Sequence, residues 1–326
     1  MRTKILSARE LKKAALIIRE GGTVVFPTET VYGLGANALD EKAVKKIFVA
    51  KGRPADNPLI THVADKKMLP QLVQEVPSSA KKLIQKFWPG PLTIILNKKK
   101  IVPDRVTAGG KTLAVRMPSH PLAHKLIKLA GIPVAAPSAN LSGRPSPTTA
   151  KDVIQDMGGR VDVIIDGGDC QVGLESTVID LTTKVPTLLR PGAITLEQLR
   201  EVLGKVNVAN PNAKKPKSPG MKYRHYSPET PLILVKNNFE NKINPLIDNH
   251  KKIALIASEQ VAKKFLNTKM EVIIYADLPT LAQKLFHILR ELDTQHFDFI
   301  LIHSVSEKGI GRAIMNRLRK AAHRVI

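Results

Sequence analysis

The chain has 326 residues, 43% of them hydrophobic, which exceeds one ordinary core and predicts two domains. No apolar run reaches the roughly 18 residues a membrane span needs; MRTKILSARE lacks a signal peptide's apolar centre, and the single cysteine, Cys170, excludes an internal disulfide, so a soluble cytoplasmic protein with no membrane partner is expected. The formal charge of +23 attracts polyanions, yet the lysines are scattered, often beside Asn as in KNNFENKINPLIDNHKK, and most of that charge reads as solvated surface.

Taken in chain order, Ser7 and Glu10 form a capping box. It opens a helix whose apolar positions Leu11, Ala14, Ala15 and Ile18 share one face, and Gly21-Gly22 stops it. The strand Thr23–Phe26 runs into Pro27, followed by TETVY and a glycine pair, Gly33 and Gly35, read as a turn. Asp40 caps a second helix with Ala43, Val44, Ile47 and Phe48 inward. Strands are expected at 59–63, 92–96, 112–117, 134–136, 161–165, 177–181 and 187–189, and helices near 78–87, 121–130, 149–157 and 195–203. This is a mixed α/β domain over residues 1–204, without a simple βαβ repeat. Residues 205–230 lose all periodicity and read as a linker, although PGMKYRHYSP has the makings of an active-site lid. From 231 to 326, strands at 232–235, 253–257, 272–275 and 299–303 alternate with helices, which predicts a small doubly wound, Rossmann-like parallel sheet.

Several segments carry chemistry. GLGANA satisfies G-x-G-x-x-[GA], but PTETVY separates it from Phe26 and the next helix waits until Asp40, so a pyrophosphate would not meet a helix N-terminus there. No P-loop, H-E-x-x-H or cysteine pair occurs, and no metal site is expected. Lys51-Gly52-Arg53-Pro54 ends the second helix at an exposed corner. Extended, it would aim both cations at one phosphate; cations at a helix C-terminus also simply complement its dipole. Ser138 and Asn140 share a face after a buried strand. Arg116 ends an apolar strand, where it needs an anionic partner. With Ser176 and Arg190 at further strand ends, these residues suggest one concave cationic pocket.

The blocks FPTETVYGLG, KGRPADNPLITHV, WPGPLTIIL, LAVRMPSHP, APSANLSGRPSPT, GLESTVIDL and LLRPG, in this order, closely resemble the threonylcarbamoyl-AMP synthase (YrdC-like) family. PGMKYRHYSP and GIGRAIMNRLRKA resemble its longer form, which has a C-terminal domain. The resemblance implies a twisted α/β YrdC-like fold with a basic cavity. It also implies the reaction of L-threonine, bicarbonate or CO2, and ATP to threonylcarbamoyl-AMP, pyrophosphate and water, supplying tRNA modification through downstream transfer proteins. Carried over by position, Thr30, His62, Arg116 and Ser176 take threonine. Arg53, Asn57, Thr112, Ser138, Ser146, Arg190 and His225 take ATP, and Lys51, Arg53, Ser138 and Asn140 form the catalytic K-x-R and S-x-N signature. Mg2+ is implied on the ATP phosphates rather than in a protein cage. Two rival functions stand beside this one. An RNA-binding or ribosome-associated module would want stacking platforms, and only 4% of residues are aromatic; weak RNA binding is kept as an accessory expectation. A carbamoyl-transfer enzyme of the hydrogenase-maturation type would carry cysteine-rich zinc segments, against one cysteine here.

Overall fold

A computed structural model describes residues 2–210, 225–236, 239–247 and 252–326. The capping box at Ser7 and Glu10 closes over a short 3-10 turn, Ala8–Glu10, and Leu11–Arg19 continues as an α-helix. Its buried positions are Leu11, Ala14, Ala15 and Ile18, the predicted face. They pack with Ala123, Leu126, Ile127 and Ala130 of the helix Pro121–Ala130, and with Val24 and Phe26. Each fully buried Leu or Ile contributes about 1.5–3 kcal/mol, so this small cluster is enough to fix both helices.

The sheet they cover has eleven strands: β1 Lys4–Leu6, β2 Val24–Phe26, β3 Gly33–Asn37, β4 Ile60–His62, β5 Leu92–Asn97, β6 Thr112–Arg116, β7 Val134–Ala135, β8 Val163–Ile165, β9 Thr177–Asp180, β10 Thr187–Arg190 and β11 Asn207–Val208. Their spatial order is β1-β8-β2-β3-β7-β4-β6-β5-β9-β10-β11, with parallel and antiparallel pairs mixed. Six of the ten neighbouring pairs join strands that are not consecutive, and parallel and antiparallel pairs alternate irregularly, which is why no βαβ rhythm shows in the sequence. The run Val24-Val25-Phe26 is apolar throughout because both faces of β2 are covered. Val24 and Phe26 belong to one core and Val25 to the other.

Two expectations need correction. The glycine stretch is a strand: Gly33–Asn37 pairs antiparallel with β2 in the register Val24↔Gly35 and Phe26↔Gly33. A Cβ on Gly35 would stand 2.6 Å from Phe26 Cε1 and 2.8 Å from Val134 Cγ1, so packing against these two side chains requires glycine, rather than a turn or a ligand. The expected linker is also not uniformly irregular, since β11 lies within it and extends the sheet beside β10.

The chain divides into two units. Among the described residues, the first holds 2–142 and 146–210, and the second 143–145 together with those from 225 onward. The second unit contains an all-parallel sheet of β12 Leu232–Val235, β13 Ile253–Ser258, β14 Glu271–Tyr275, β15 Phe299–His303 and β16 Arg324–Val325, ordered β14-β13-β15-β12-β16. The alternating pattern anticipated all but β16. Residues 219–224 of the expected lid, including Gly220, Lys222, Tyr223 and Arg224, lie outside the described residues. No helix among the described residues is long and apolar enough to cross a membrane.

Candidate active site

The register of the first sheet aligns the site. His62 of β4 stands opposite Arg116 of β6; Arg116 stands opposite Thr93 of β5; Thr93 pairs with Val178 of β9, and Val178 with Arg190 of β10. Residues paired across strands project to one face, so His62, Arg116, Thr93 and Arg190 form a transverse row. All four are buried. Arg116 Nη1 donates to Thr30 Oγ1 at 2.9 Å, Thr30 Oγ1 lies 2.8 Å from Thr28 Oγ1, and Arg116 Nε reaches Gly90 O at 3.3 Å. Thr93 Oγ1 and Ser176 Oγ are 2.7 Å apart, and Arg190 donates through Nη2 to Ser176 Oγ at 3.1 Å and through Nε to Ser176 O at 3.0 Å. The four residues expected to take threonine, Thr30, His62, Arg116 and Ser176, are therefore brought together.

A carboxylate completes this end. Glu29 is 4% exposed, and its Oε1 stands 2.8 Å from Arg116 Nη2. Burial alone would raise its pKa; the Arg116 guanidinium overrides that and holds the carboxyl below the usual range. His62 is pushed the other way. Burial, and then the Arg116 charge, lower its pKa to about 3, so the imidazole is neutral at physiological pH. Its Nδ1 is buried without a hydrogen-bond partner.

The second end lies one strand-length away, since Thr112 and Arg116 close opposite ends of β6, about 13 Å apart at 3.3 Å per residue. Thr112 is half-buried and pairs with Asn97. Arg53 donates to Asn57 O at 3.3 Å and to Pro58 O at 3.0 Å, and Asn57 Oδ1 is buried without a hydrogen-bond partner. Ser138 Oγ donates to Asn140 Oδ1 at 2.5 Å, as the shared face predicts.

Lys51 overturns the expectation of an exposed helix corner: it is 2% exposed, and its Nζ donates to Ser138 O at 2.6 Å and to Asn140 O. Nor do these bonds of Lys51 share a target with those of Arg53. Lys51 is still helical and Gly52 caps the helix in the left-handed region at φ 59°, so the two-residue alternation of an extended segment does not apply. Ser146 Oγ donates to Glu175 Oε1 at 2.6 Å, which ties it to the neighbour of Ser176. With Arg190 on Ser176 itself, two residues expected at the nucleotide adjoin the threonine end. His225 belongs to the second unit, where its ring lies 5.6 Å from Tyr226, itself stacked on Phe286 at 5.2 Å.

Sequence reasoning missed Glu29, Thr93 and Glu175. Glu29 had a visible signal, a lone carboxylate between two threonines in an apolar stretch. Thr93 had none, because a threonine in a strand is ordinary. Among the described residues, no three His, Cys, Asp or Glu side chains gather as a metal cluster would require.

The sheet and its buried row of basic and hydroxyl side chains define a class, an α/β enzyme. The chain belongs to the Sua5/YciO/YrdC family, described as telomere recombination, which matches residues 16–192; residues 194–323 match the family described as threonylcarbamoyl-AMP synthase, C-terminal domain. It is 48% identical to the threonylcarbamoyl-AMP synthase of Pyrococcus abyssi over 99% of both chains. It is 47% identical to that of Bacillus subtilis, over 96% of this chain and 93% of the relative. A solved structure of P. abyssi Sua5 complexed with L-threonine superimposes with a TM-score of 0.93 at 47% identity, covering 99% of each chain.

Proposed function

We propose that this chain condenses L-threonine, bicarbonate or CO2, and ATP into threonylcarbamoyl-AMP, releasing pyrophosphate and water. The observation that supports the reading is the transverse row: a buried arginine beside a neutral histidine and the hydroxyls of Thr30, Thr93 and Ser176. Arg116 receives the threonine carboxylate as a bidentate partner. Thr30, His62 and Ser176 receive the hydroxyl and amine, and the unpartnered His62 Nδ1 is an acceptor awaiting a donor. Arg53, Asn57, Thr112, Ser138, Ser146 and Arg190 hold the nucleotide.

The chemistry needs a neutral amine and then two anions held together. The carbamate oxygen attacks the α-phosphorus of ATP, and two unit charges about 4 Å apart repel by roughly 4 kcal/mol at an effective dielectric near 20. Arg53 and Arg190 offset that repulsion and favour departing pyrophosphate. Lys51 acts through the Ser138–Asn140 carbonyls it holds. Mg2+ enters with ATP, bound by phosphate oxygens and water. The product serves tRNA modification through partner proteins in the cytoplasm. The test is pyrophosphate release from ATP by the full chain. Release that requires both threonine and bicarbonate is expected; release independent of threonine would sink the assignment.

A further inference from the structure

We infer that Glu29 is the base that takes the proton from the threonine ammonium, and that the substrate's own carboxylate switches it on; this rests on the synthase reading above. The geometry starts at Arg116, whose guanidinium binds Thr30 through Nη1 and faces Glu29 through Nη2 at 2.8 Å. In an α-amino acid the nitrogen lies about 2.5 Å from its carboxyl carbon, two covalent bonds away. A threonine carboxylate seated on Arg116 therefore brings its ammonium to the other partner of that guanidinium. A buried carboxylate beside a buried guanidinium is the electrostatic mirror of a zwitterion, each charge facing its opposite.

The switch follows from what holds Glu29 ionised. Burial opposes its charge and Arg116 supports it. The titratable groups around it are Arg116 of β6, His62 of β4, His120 before the helix Pro121–Ala130, and Cys170 in the loop after β8. Burial keeps His62 and His120 lowered and Cys170 raised, so all three are neutral near pH 7, and Arg116 is the cation that matters. When the substrate carboxylate engages Arg116, that support is shared, and a carboxylate in so dry a place gains affinity for a proton. One N–H bond of the ammonium breaks and an O–H bond forms on Glu29, leaving the electron pair on nitrogen. That pair then bonds to the carbon of bicarbonate, whose C–OH bond breaks, and the second N–H proton leaves with that hydroxide as water; when CO2 reacts, the second proton passes to solvent. When the product leaves, Arg116 again faces Glu29 alone and the carboxyl releases its proton.

Steady-state pyrophosphate release by the full chain, from pH 6 to 9, tests the step. Wild type should show a nearly level kcat/KM for threonine across neutral pH. In Glu29→Gln the protein must wait for threonine already neutral in solution. Its kcat/KM should fall by about 10²–10⁴-fold at pH 7, the usual contribution of a general base, and climb about tenfold per pH unit. Glu29→Asp should restore the level profile at reduced rate. A Glu29→Gln enzyme with the wild-type profile, or one depressed equally at every pH, overturns the proposal, the second because it marks a purely positioning role. An infrared difference spectrum of wild type on threonine addition needs no variant to fold. A protonated-carboxyl band should appear, and its absence contradicts the mechanism. Wild type that releases no pyrophosphate would instead defeat the synthase reading, while the infrared measurement still decides Glu29.

Discussion

Two parts of the first unit treat a buried cation differently. At the Arg116 end the guanidinium faces the Glu29 carboxylate, so that end already contains both signs of charge. At the Lys51 end the ammonium donates to the backbone carbonyls of Ser138 and Asn140, dipoles that fix where it sits. The first arrangement matches a zwitterion, which brings one charge of each sign. The second fixes the backbone of Ser138 and Asn140 in position. A buried charge is therefore informative less by its presence than by what it is set against.

The largest effect expected concerns the substrate hydroxyl. Thr30 and Ser176 already have partners in Arg116, Thr28, Thr93 and Arg190, but His62 Nδ1 is buried without one, so in the proposed site a ligand lacking the hydroxyl leaves the histidine unpaired. With 2-aminobutyrate, kcat/KM should drop about 10⁴-fold, as for other sites that pair a substrate hydroxyl; use on a par with threonine would break the assignment of that end. Next, Arg116→Met strands the Glu29 carboxylate in a dry site and should cost about 3–5 kcal/mol of stability. Adding Glu29→Gln should recover most of it, and urea midpoints for the two variants decide the matter. Lys51→Ala removes the donor from two carbonyls and should cost about 1–3 kcal/mol for each one left unsatisfied, along with activity. Arg53→Ala, at a half-buried position, should lose activity with little change in melting temperature. Equal melting temperatures for the Lys51 and Arg53 variants would show that Lys51 anchors nothing.

The smallest effect is on pH. His62 titrates near 3 when folded, against an ordinary 6.5, so protons favour the unfolded chain. Its contribution to stability is complete above pH 6.5 and declines as pH falls toward 3, by about 1.4 kcal/mol per unit at most. His62→Gln should flatten that part of the stability curve, measured by denaturant titration at each pH.

Much of this was legible in the sequence. Asp40 accepts from Lys42 N and Ala43 N as an N-cap should, and Gly52 ends that helix. Arg116 at the end of an apolar strand announced an ionic partner. The partner itself, Glu29, is 87 residues away in the chain, and an irregular strand order hides such pairings from local pattern. Gly33 and Gly35 misled because glycine serves close packing as well as turns, and only the Phe26 ring against Gly35 tells which. Lys51 misled because its direction depended on whether residues 51–53 are helical or extended, and the helix runs one residue too far for the extended reading.

The claim that the Arg116 end reads a zwitterion is tested most directly by calorimetry with three ligands. L-Threonine carries both charges, L-threonine amide lacks the carboxylate, and 3-hydroxybutyrate lacks the amine. The pairing of Glu29 with Arg116 predicts that threonine binds far more tightly than either analogue, and that the Glu29→Gln variant narrows the gap to 3-hydroxybutyrate. If 3-hydroxybutyrate binds the wild-type chain as tightly as threonine does, Glu29 takes no part in recognising the substrate and the account fails at its centre.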